Sequence, residues 1–309
     1  MNKKIAITTG DFNGIGPEII VKALNKLMPP ADSIVIIGSK DFLFGLKQDY
    51  KIVEIPYDKS ACKPGYECKE SGEFSYQCLK KACKMAKNGE VQAIVTAPVS
   101  KNALHLAGYN FSGQTEIIEK ELANPEKKEK AEMLFVSKDL RVLLLTRHLP
   151  LKDVKITKNL LIEKVERIHG VLTKNFGIKN PKIALCSINP HAGENGILGK
   201  DEIEEFYPAI EILRAKGIDI TNPKPADTLF AKAAKHYLKN EKQPYDVYCA
   251  CYHDQGLIPV KVLAMDKTVN MTAGLSIIRT SPAHGTAYDI AGQNIANESS
   301  MVCAIEQVI

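Results

Sequence analysis

The stretch that indicates the fold most directly is IAITTGDFNGIGPE, residues 5–18. Residues 5–9 form a short apolar, β-branched run that predicts a buried strand, and residues 10–16 form a glycine-rich turn. Pro17 and Glu18 then favour a helix that continues to Leu27, because proline suits the first helical position and an acidic side chain suits the first turn. Strand, turn and helix in this order are typical of α/β proteins.

The same alternation recurs along the rest of the chain. Helices are predicted at 74–87 and 160–173, and further strands at 34–37, 93–96, 140–146, 183–187 and 247–251. We therefore expect an α/β fold whose sheets are mostly parallel and flanked by helices. Each of the last three strands ends close to a histidine, and open α/β sheets bind their ligands beyond the carboxyl ends of the strands.

The composition is that of an ordinary soluble globular protein. The 309 residues are 45% hydrophobic and 25% charged, and 41 basic and 36 acidic residues give a net charge of +5. Basic residues are spread along the chain and Trp is absent, so we expect no nucleic acid partner. No segment approaches the roughly 20 apolar residues of a membrane span, and the N-terminal apolar run is too short for a signal peptide. We expect a cytoplasmic protein that does not bind a membrane.

Three histidines stand in distinctive segments: TRHLP (146–150), NPHAGE (189–194) and YHDQG (252–256). A single histidine beside Pro, Gly, Asp or Asn is more often structural than a ligand, but three at strand ends favour a divalent-metal site. Imidazole nitrogens suit zinc, and cobalt or another divalent ion also fits. Three protein ligands would leave coordination positions open for a substrate, which is the catalytic arrangement.

Other segments carry groups suited to binding anions. Arg279 ends an apolar run beside hydroxyl side chains; it predicts a carboxylate or phosphate clamp, with a structural ion pair as the alternative. The segment APVSK (97–101) is either a substrate loop, in which Ser100 and Lys101 bind an anion, or a helix cap with a surface lysine. The glycine-rich loop 10–16 lacks the Walker and G-x-G-x-x-G patterns. It is a strand-to-helix turn or an anion site at a helix N-terminus.

In their order along the chain, these segments resemble those of the 4-hydroxythreonine-4-phosphate dehydrogenase family of pyridoxine 5′-phosphate biosynthesis. The matching segments run from residue 8 to about residue 292 and comprise Gly10-Asp11 with 14–18, 97–101, 113–116, 148–151, 189–194, 225–228, 252–256, 279–281 and 284–287. The resemblance implies the two-domain fold of isocitrate and isopropylmalate dehydrogenase-like enzymes, which bind a nicotinamide cofactor without the glycine fingerprint. The expected domains are 1–107 with 280–309, and 108–279 carrying the metal ligands, with the active site in a cleft between them.

The resemblance also implies a homodimer with a shared active site, NAD or NADP as cofactor, and a divalent metal (zinc, magnesium or cobalt). By motif match the metal ligands are His148, His191 and His253, and the substrate contacts are Gln114, Thr115, Lys261, Asn270 and Arg279. Candidate cofactor contacts are Gly285, Thr286 and Ala287. Lys261 and Asp254 are the candidate catalytic residues, and Asp254 would orient His253 or move a proton. The implied reaction oxidises 4-phosphohydroxy-L-threonine at its 3-hydroxyl to 2-amino-3-oxo-4-phosphooxybutanoate, which decarboxylates to 3-amino-2-oxopropyl phosphate.

Three departures from the family pattern concern the substrate more than the metal. Gln114 stands where the family usually has His, and an amide forms hydrogen bonds but exchanges no protons near neutral pH. Ala283 replaces the usual Asp, and Phe12-Asn13 replaces the more usual Pro-Ala. Two alternatives therefore stay open. One is a related dehydrogenase for another phosphorylated hydroxy acid, such as threonate or erythronate phosphate; the other is a metal-dependent lyase or acyltransferase that uses no nicotinamide.

Overall fold

The computed structural model describes residues 4–127 and 129–309. Residues 1–3, which belong to the N-terminal segment considered above for a signal peptide, lie outside the described residues. The chain divides into two compact units. Unit 1 comprises the described residues of Met1–Ala131 together with Val269–Ile309, and unit 2 comprises Glu132–Thr268.

Unit 1 is a mostly parallel sheet flanked by helices. Its strands are β1 (Ile5–Thr8), β2 (Ile34–Gly38), β3 (Lys51–Glu54), β4 (Ala93–Thr96), β10 (Val269–Ala273) and β11 (Ile278–Pro282). They lie in the order β3-β2-β1-β4-β11-β10, and only the pair β10–β11 is antiparallel. Its helices are α1 (Gly16–Leu27), α2 (Lys69–Lys87), α3 (Lys101–Leu106), α4 (Gln114–Leu122) and α9 (Ser299–Glu306).

The two faces of β1 show how the sheet of unit 1 is covered. Ile5 and Ile7 are buried in a cluster with α1 and α9, whereas Ala6 is buried in a second cluster with α2 and α4. Successive strand residues point to opposite faces, so both faces of this strand are apolar and need a helical layer. The strand, turn and helix predicted from residues 5–18 are confirmed.

Unit 2 has the same layered construction. Its strands are β5 (Glu132–Ser137), β6 (Leu140–Leu144), β7 (Lys182–Leu185), β8 (Asp219–Ile220) and β9 (Val247–Ala250). They lie in the order β5-β6-β9-β7-β8, with β5–β6 antiparallel and the other pairs parallel. The helices are α5 (Lys158–Lys174), α6 (Tyr207–Ala215, preceded by a π-helical turn at Glu202–Phe206), α7 (Ala226–Leu238) and α8 (His253–Ala264). Short 3₁₀ turns join several elements of both units.

The α/β class and the mostly parallel sheets are as expected, but some bounds differ. The helix predicted at 74–87 begins at Lys69. Residues 108–131 and 269–279, expected in the second domain, lie in unit 1. They do so because α4 packs against α2 and because β11 pairs with both β4 and β10. In the described part of the chain, no helix combines the length and apolarity needed to cross a membrane.

Candidate active site

A buried arginine is the centre of a polar cluster in unit 1. Arg279 on β11 is 2% exposed. Its Nε and Nη2 donate to the Thr96 hydroxyl at 2.9 and 2.5 Å, and its Nη1 donates to the Thr272 hydroxyl at 3.4 Å. The Thr115 hydroxyl lies 3.5 Å from that of Thr272. Burial lowers the pKa of the Arg279 guanidinium, and the carboxylate of Glu116 opposes the shift. The cluster therefore brings together the predicted substrate residues Thr115 and Arg279.

Two other predicted substrate residues present buried acceptors in unit 1. Gln114, the first residue of α4, donates through Nε2 to the carbonyl oxygen of Ala97 at 3.1 Å. Within the described residues, Oε1 of Gln114 and Oδ1 of Asn270 are buried without a hydrogen-bond partner. Asn270 lies two residues before Thr272 on β10, so both side chains point to one face of the strand. Each unsatisfied acceptor costs about 1–3 kcal/mol, which a donor on a bound ligand would recover.

The glycine-rich loop 10–16 contacts the segment predicted to bind the cofactor. The loop joins β1 to α1 as a strand-to-helix turn. The main-chain N–H of Ile15 donates to the carbonyl oxygen of Thr286 at 2.9 Å. Thr286 is buried, and Ala287 has a left-handed backbone with a φ of +44°. This hydrogen bond holds Thr286 against the loop, and the role of residues 285–287 as cofactor contacts stays a prediction.

A buried carboxylate, that of Asp11, links the glycine-rich loop to Tyr288, the residue after the segment 285–287. Asp11 is fully buried and accepts hydrogen bonds from the Tyr288 hydroxyl at 2.7 Å, the Ser71 hydroxyl at 2.9 Å and the main-chain N–H of Asn13 at 2.9 Å. Burial raises the pKa of Asp11, and these three hydrogen bonds oppose the shift. The network fixes the start of the glycine-rich loop.

For the segment 97–101, the structure shows the helix cap rather than an anion site. The Ser100 hydroxyl accepts from the main-chain N–H of Ala103 at 3.0 Å and so caps α3. The same hydroxyl donates to the carboxylate of Glu67. Lys101 is exposed. The capping role therefore explains Ser100 without a ligand.

Two of the three candidate metal ligands lie side by side in unit 2. The ring centroids of His148 and His253 are 5.7 Å apart, and both residues line a cavity of about 260 Å³. Nδ1 of His253 is 2.7 Å from Oδ1 of Asp254. A carboxylate on one ring nitrogen fixes the tautomer of a histidine and leaves Nε2 for a metal, which is the usual arrangement at such sites. In donor type and in the placement of this pair, the residues fit a divalent metal ion.

His191 follows β7, which lies beside β9 in the sheet that also carries β6. The three histidines therefore follow adjacent parallel strands, as predicted. However, in the described part of the chain no group of three His, Cys, Asp or Glu side chains is arranged to hold a metal ion. The structure brings together His148 and His253 but not His191, so the three-histidine site stays a prediction. Lys261 is exposed on α8, eight residues beyond His253, and is not part of this pair.

The two hydroxyls that hold the guanidinium, those of Thr96 and Thr272, were not predicted from the sequence. Thr96 is the last residue of β4, immediately before the segment 97–101 that was singled out. Thr272 alternates with Asn270 along β10. A polar side chain at the end of a buried strand was the available signal for Thr96, whereas the position of Thr272 depends on strand pairing.

Comparisons with known proteins agree with the fold and with the family resemblance given above. A family model described as "Pyridoxal phosphate biosynthetic protein PdxA" matches residues 16–308. The chain is 41% identical to 4-hydroxythreonine-4-phosphate dehydrogenase of Sulfurihydrogenibium sp. (strain YO3AOP1), over 99% of this chain and 97% of that protein. It is 39% identical to D-threonate 4-phosphate dehydrogenase of Pectobacterium atrosepticum, over 99% and 98% of the two chains.

Solved structures give the same result. The crystal structure of 4-hydroxythreonine-4-phosphate dehydrogenase from Klebsiella pneumoniae matches with a TM-score of 0.84 at 33% identity, covering 100% of this chain and 97% of that one. Isocitrate dehydrogenase from Methylococcus capsulatus matches with a TM-score of 0.52 at 14% identity over 99% and 84% of the two chains, which shows a shared fold. The expected isocitrate dehydrogenase-like fold is confirmed, and the chain belongs to the PdxA family of pyridoxal phosphate biosynthetic proteins.

Proposed function

We propose that this protein is a metal-dependent dehydrogenase that oxidises 4-phosphohydroxy-L-threonine at its 3-hydroxyl, with NAD or NADP as the hydride acceptor. The product is 2-amino-3-oxo-4-phosphooxybutanoate, a β-keto acid that loses carbon dioxide to give 3-amino-2-oxopropyl phosphate. Besides family membership, the observation that carries the proposal is the buried Arg279, whose hydrogen-bond partners are hydroxyls. A buried cation held by neutral groups is suited to binding an anionic substrate.

Arg279 would bind the phosphate or carboxylate of the substrate. A guanidinium has five N–H donors. In the described part of the chain, hydrogen bonds to Thr96 and Thr272 use one donor on each of its three nitrogens. One N–H therefore remains on Nη1 and one on Nη2, and these two groups can donate to the oxygens of a bound anion. The threonine hydroxyls hold the plane of the guanidinium for that contact.

The unsatisfied acceptors would bind the hydrogen-bond donors of the substrate. Oε1 of Gln114 and Oδ1 of Asn270 can accept only from a donor, such as a substrate hydroxyl or ammonium group. Thr115 can donate or accept through its hydroxyl. These three residues would therefore orient the substrate, while Arg279 supplies most of the charge complementarity.

His148, His191 and His253 would hold a divalent metal, for which zinc, cobalt and magnesium are the candidates. When bound, a divalent ion acts as a Lewis acid and lowers the pKa of a substrate hydroxyl. Asp254 fixes His253 through Nδ1, and Lys261 is proposed to contact the substrate or to move a proton.

Residues 285–287 are proposed to contact the cofactor. A homodimer with a shared active site and a cytoplasmic location complete the proposal, and size-exclusion chromatography with light scattering tests the dimer.

D-threonate 4-phosphate is the second candidate substrate, because a relative at 39% identity carries that name. It has a hydroxyl at the carbon where 4-phosphohydroxy-L-threonine has an ammonium group. Gln114 also supports this candidate, since a neutral amide oxygen accepts a hydrogen bond from either group. A metal-dependent lyase or acyltransferase has no comparable support among these observations.

The experiment that tests the proposal compares both substrates with the purified full-length protein. Each is supplied with NAD or NADP and with zinc, cobalt or magnesium, and reduced nicotinamide is followed by absorbance. We expect the higher kcat/KM for 4-phosphohydroxy-L-threonine and loss of activity on chelation. A higher kcat/KM for D-threonate 4-phosphate would move the assignment to that substrate. Absence of reduced nicotinamide with both substrates would overturn the dehydrogenase proposal.

A further inference from the structure

The segment that carries His191 has an unusual backbone conformation. Residues 191–195 all have positive φ angles, between 45° and 79°, and so form a left-handed turn. Only Gly193 among them is a glycine, and left-handed backbone is disfavoured for residues that carry a Cβ. Consecutive residues keep such a conformation only when surrounding groups impose it. The contacts around the turn therefore identify what holds it.

A buried carboxylate holds the chain at the entry to the left-handed turn. Glu202 is 1% exposed. Its Oε1 accepts from the main-chain N–H groups of Ile188 at 3.0 Å and Asn189 at 2.9 Å. Its Oε2 accepts from Nδ2 of Asn189 at 2.9 Å. One carboxylate thus fixes the main-chain N–H groups of residues 188 and 189 and one side chain, with only Pro190 between them and residue 191.

The same carboxylate also packs against the turn at Gly193. A Cβ on Gly193 would be 2.9 Å from Oε2 of Glu202 and 2.8 Å from the carbonyl oxygen of Gly199, so the main chain of the turn approaches the carboxylate too closely for a side chain at residue 193. In the described part of the chain, the hydrogen-bond partners of Glu202 are amide groups, and it forms no ion pair. A buried carboxylate satisfied by oriented amides needs no balancing cation.

We propose that Glu202 is a positioning residue for the metal site: it holds the left-handed turn so that His191 is presented as a ligand. This inference rests on the proposed function, because it requires His191 to bind the metal. Both oxygens of Glu202 accept from amide groups, so its proposed role is to position His191 and not to bind the metal. Groups that orient metal ligands in this way typically change metal affinity by roughly 10–100-fold when they are replaced.

Glu202→Gln is the informative substitution. Glutamine keeps an oxygen that can accept from the two main-chain N–H groups, but it places an NH₂ donor against the NH₂ of Asn189. The substitution therefore keeps the shape of the side chain but replaces the hydrogen bond from Asn189 by a contact between two donors. Asn189→Ala is the second variant: it keeps the main-chain contacts to Oε1 and removes the hydrogen bonds from Nδ2 to Oε2 of Glu202 and to Oδ2 of Asp201, both at 2.9 Å. Glu204→Gln is the matched control, since Glu204 is exposed on the same segment.

The measurement is the dissociation constant for Co²⁺ of the metal-free, full-length protein, followed by the visible absorbance of the bound ion. We expect about 10–100-fold weaker binding and an altered absorbance band for Glu202→Gln. Asn189→Ala should weaken binding by a smaller factor, and Glu204→Gln should leave it unchanged. Urea unfolding shows whether each variant is folded under the binding conditions, because a purely structural role would lower the unfolding midpoint without changing the cobalt spectrum.

His191→Ala separates this inference from the proposed function. If the wild-type protein binds no Co²⁺, or if His191→Ala binds it as well as the wild type, the proposed metal site fails and the positioning role fails with it. If His191→Ala weakens binding but Glu202→Gln and Asn189→Ala both bind Co²⁺ as the wild type does, the metal site stands and the role of Glu202 is wrong.

Discussion

Replacing Arg279 by lysine tests how unit 1 recognises an anionic substrate. The guanidinium donates to Thr96 and Thr272 and keeps one N–H on each terminal nitrogen for a ligand. Lysine keeps the positive charge but has one nitrogen with three donors. It cannot reach both threonine hydroxyls and also bind two oxygens of one anion. Arg279→Lys therefore removes at least one charge-assisted hydrogen bond to the substrate.

One such bond contributes about 1.5–3 kcal/mol. Since each 1.4 kcal/mol corresponds to about a tenfold change, kcat/KM for the phosphorylated substrate should fall roughly 10- to 150-fold. The assay follows reduced nicotinamide while the concentration of the phosphorylated substrate is varied at saturating cofactor. The KM for the cofactor should stay close to that of the wild type.

Arg141→Lys is the matched control in unit 2. Nη1 of Arg141 donates to the carbonyl oxygens of Asp139 and Asp246, both at 3.3 Å, and this arginine is also largely removed from solvent. We expect a small loss of stability and no change in kcat/KM. If Arg279→Lys retained kcat/KM within twofold of the wild type, or if Arg141→Lys lowered it equally, Arg279 would not be the anion-binding group.

Three further substitutions test other parts of the structure. Gln114→His introduces a group that titrates near neutral pH, so the pH profile of kcat/KM should gain an inflection there; an unchanged profile would place residue 114 away from the substrate. Burial raises the pKa of Asp11 above its ordinary 3.8, so the folded state holds the proton more tightly than the unfolded state does. Lowering the pH through the raised pKa towards 3.8 should therefore stabilise the wild type relative to Asp11→Asn in urea unfolding, and parallel pH curves would contradict this. In Gly72→Ala the new Cβ would lie 2.0 Å from the carbonyl oxygen of Ala103, so the free energy of unfolding should fall by about 1–3 kcal/mol. Gly170→Ala, with open space around its Cβ, is the control and should be neutral or stabilising; equal losses in both variants would contradict the close packing of α2 on α3.

The elements predicted most accurately were those with a local signal. The apolar run at residues 5–9 and the Pro-Glu start of the following helix favour their conformations locally. The observed bounds of β1 and α1 therefore lie within one residue of the predicted ones. In contrast, α8 contains Gly256 and Pro259, which disfavour a helix. It forms because Gly256 allows the helix to pack directly onto β6 and β9. Such packing depends on residues far away in the sequence.

The residues of the candidate site also differ in whether a local signal in the sequence predicted them. Arg279 was predicted to bind an anion from its residue type and neighbours, but its partner Thr96, which lies 183 positions earlier in the chain, was not predicted. His148, His191 and His253 were predicted as metal ligands with the help of the residues beside them. The left-handed turn that carries His191 has no sequence signature, because four of its five residues are not glycine. The contact between Glu202 and that turn was therefore visible only in the structure.

The most direct measurement is single-turnover oxidation of 4-phosphohydroxy-L-threonine by the metal-free wild-type protein, by the same protein after metal is restored, and by His253→Ala. Reduced nicotinamide should form in the wild type only after metal is restored, and its formation in His253→Ala should be strongly reduced at the same metal concentration. Near-normal formation of reduced nicotinamide by the metal-free wild type, or by His253→Ala without bound metal, would contradict the metal-dependent dehydrogenase proposed here.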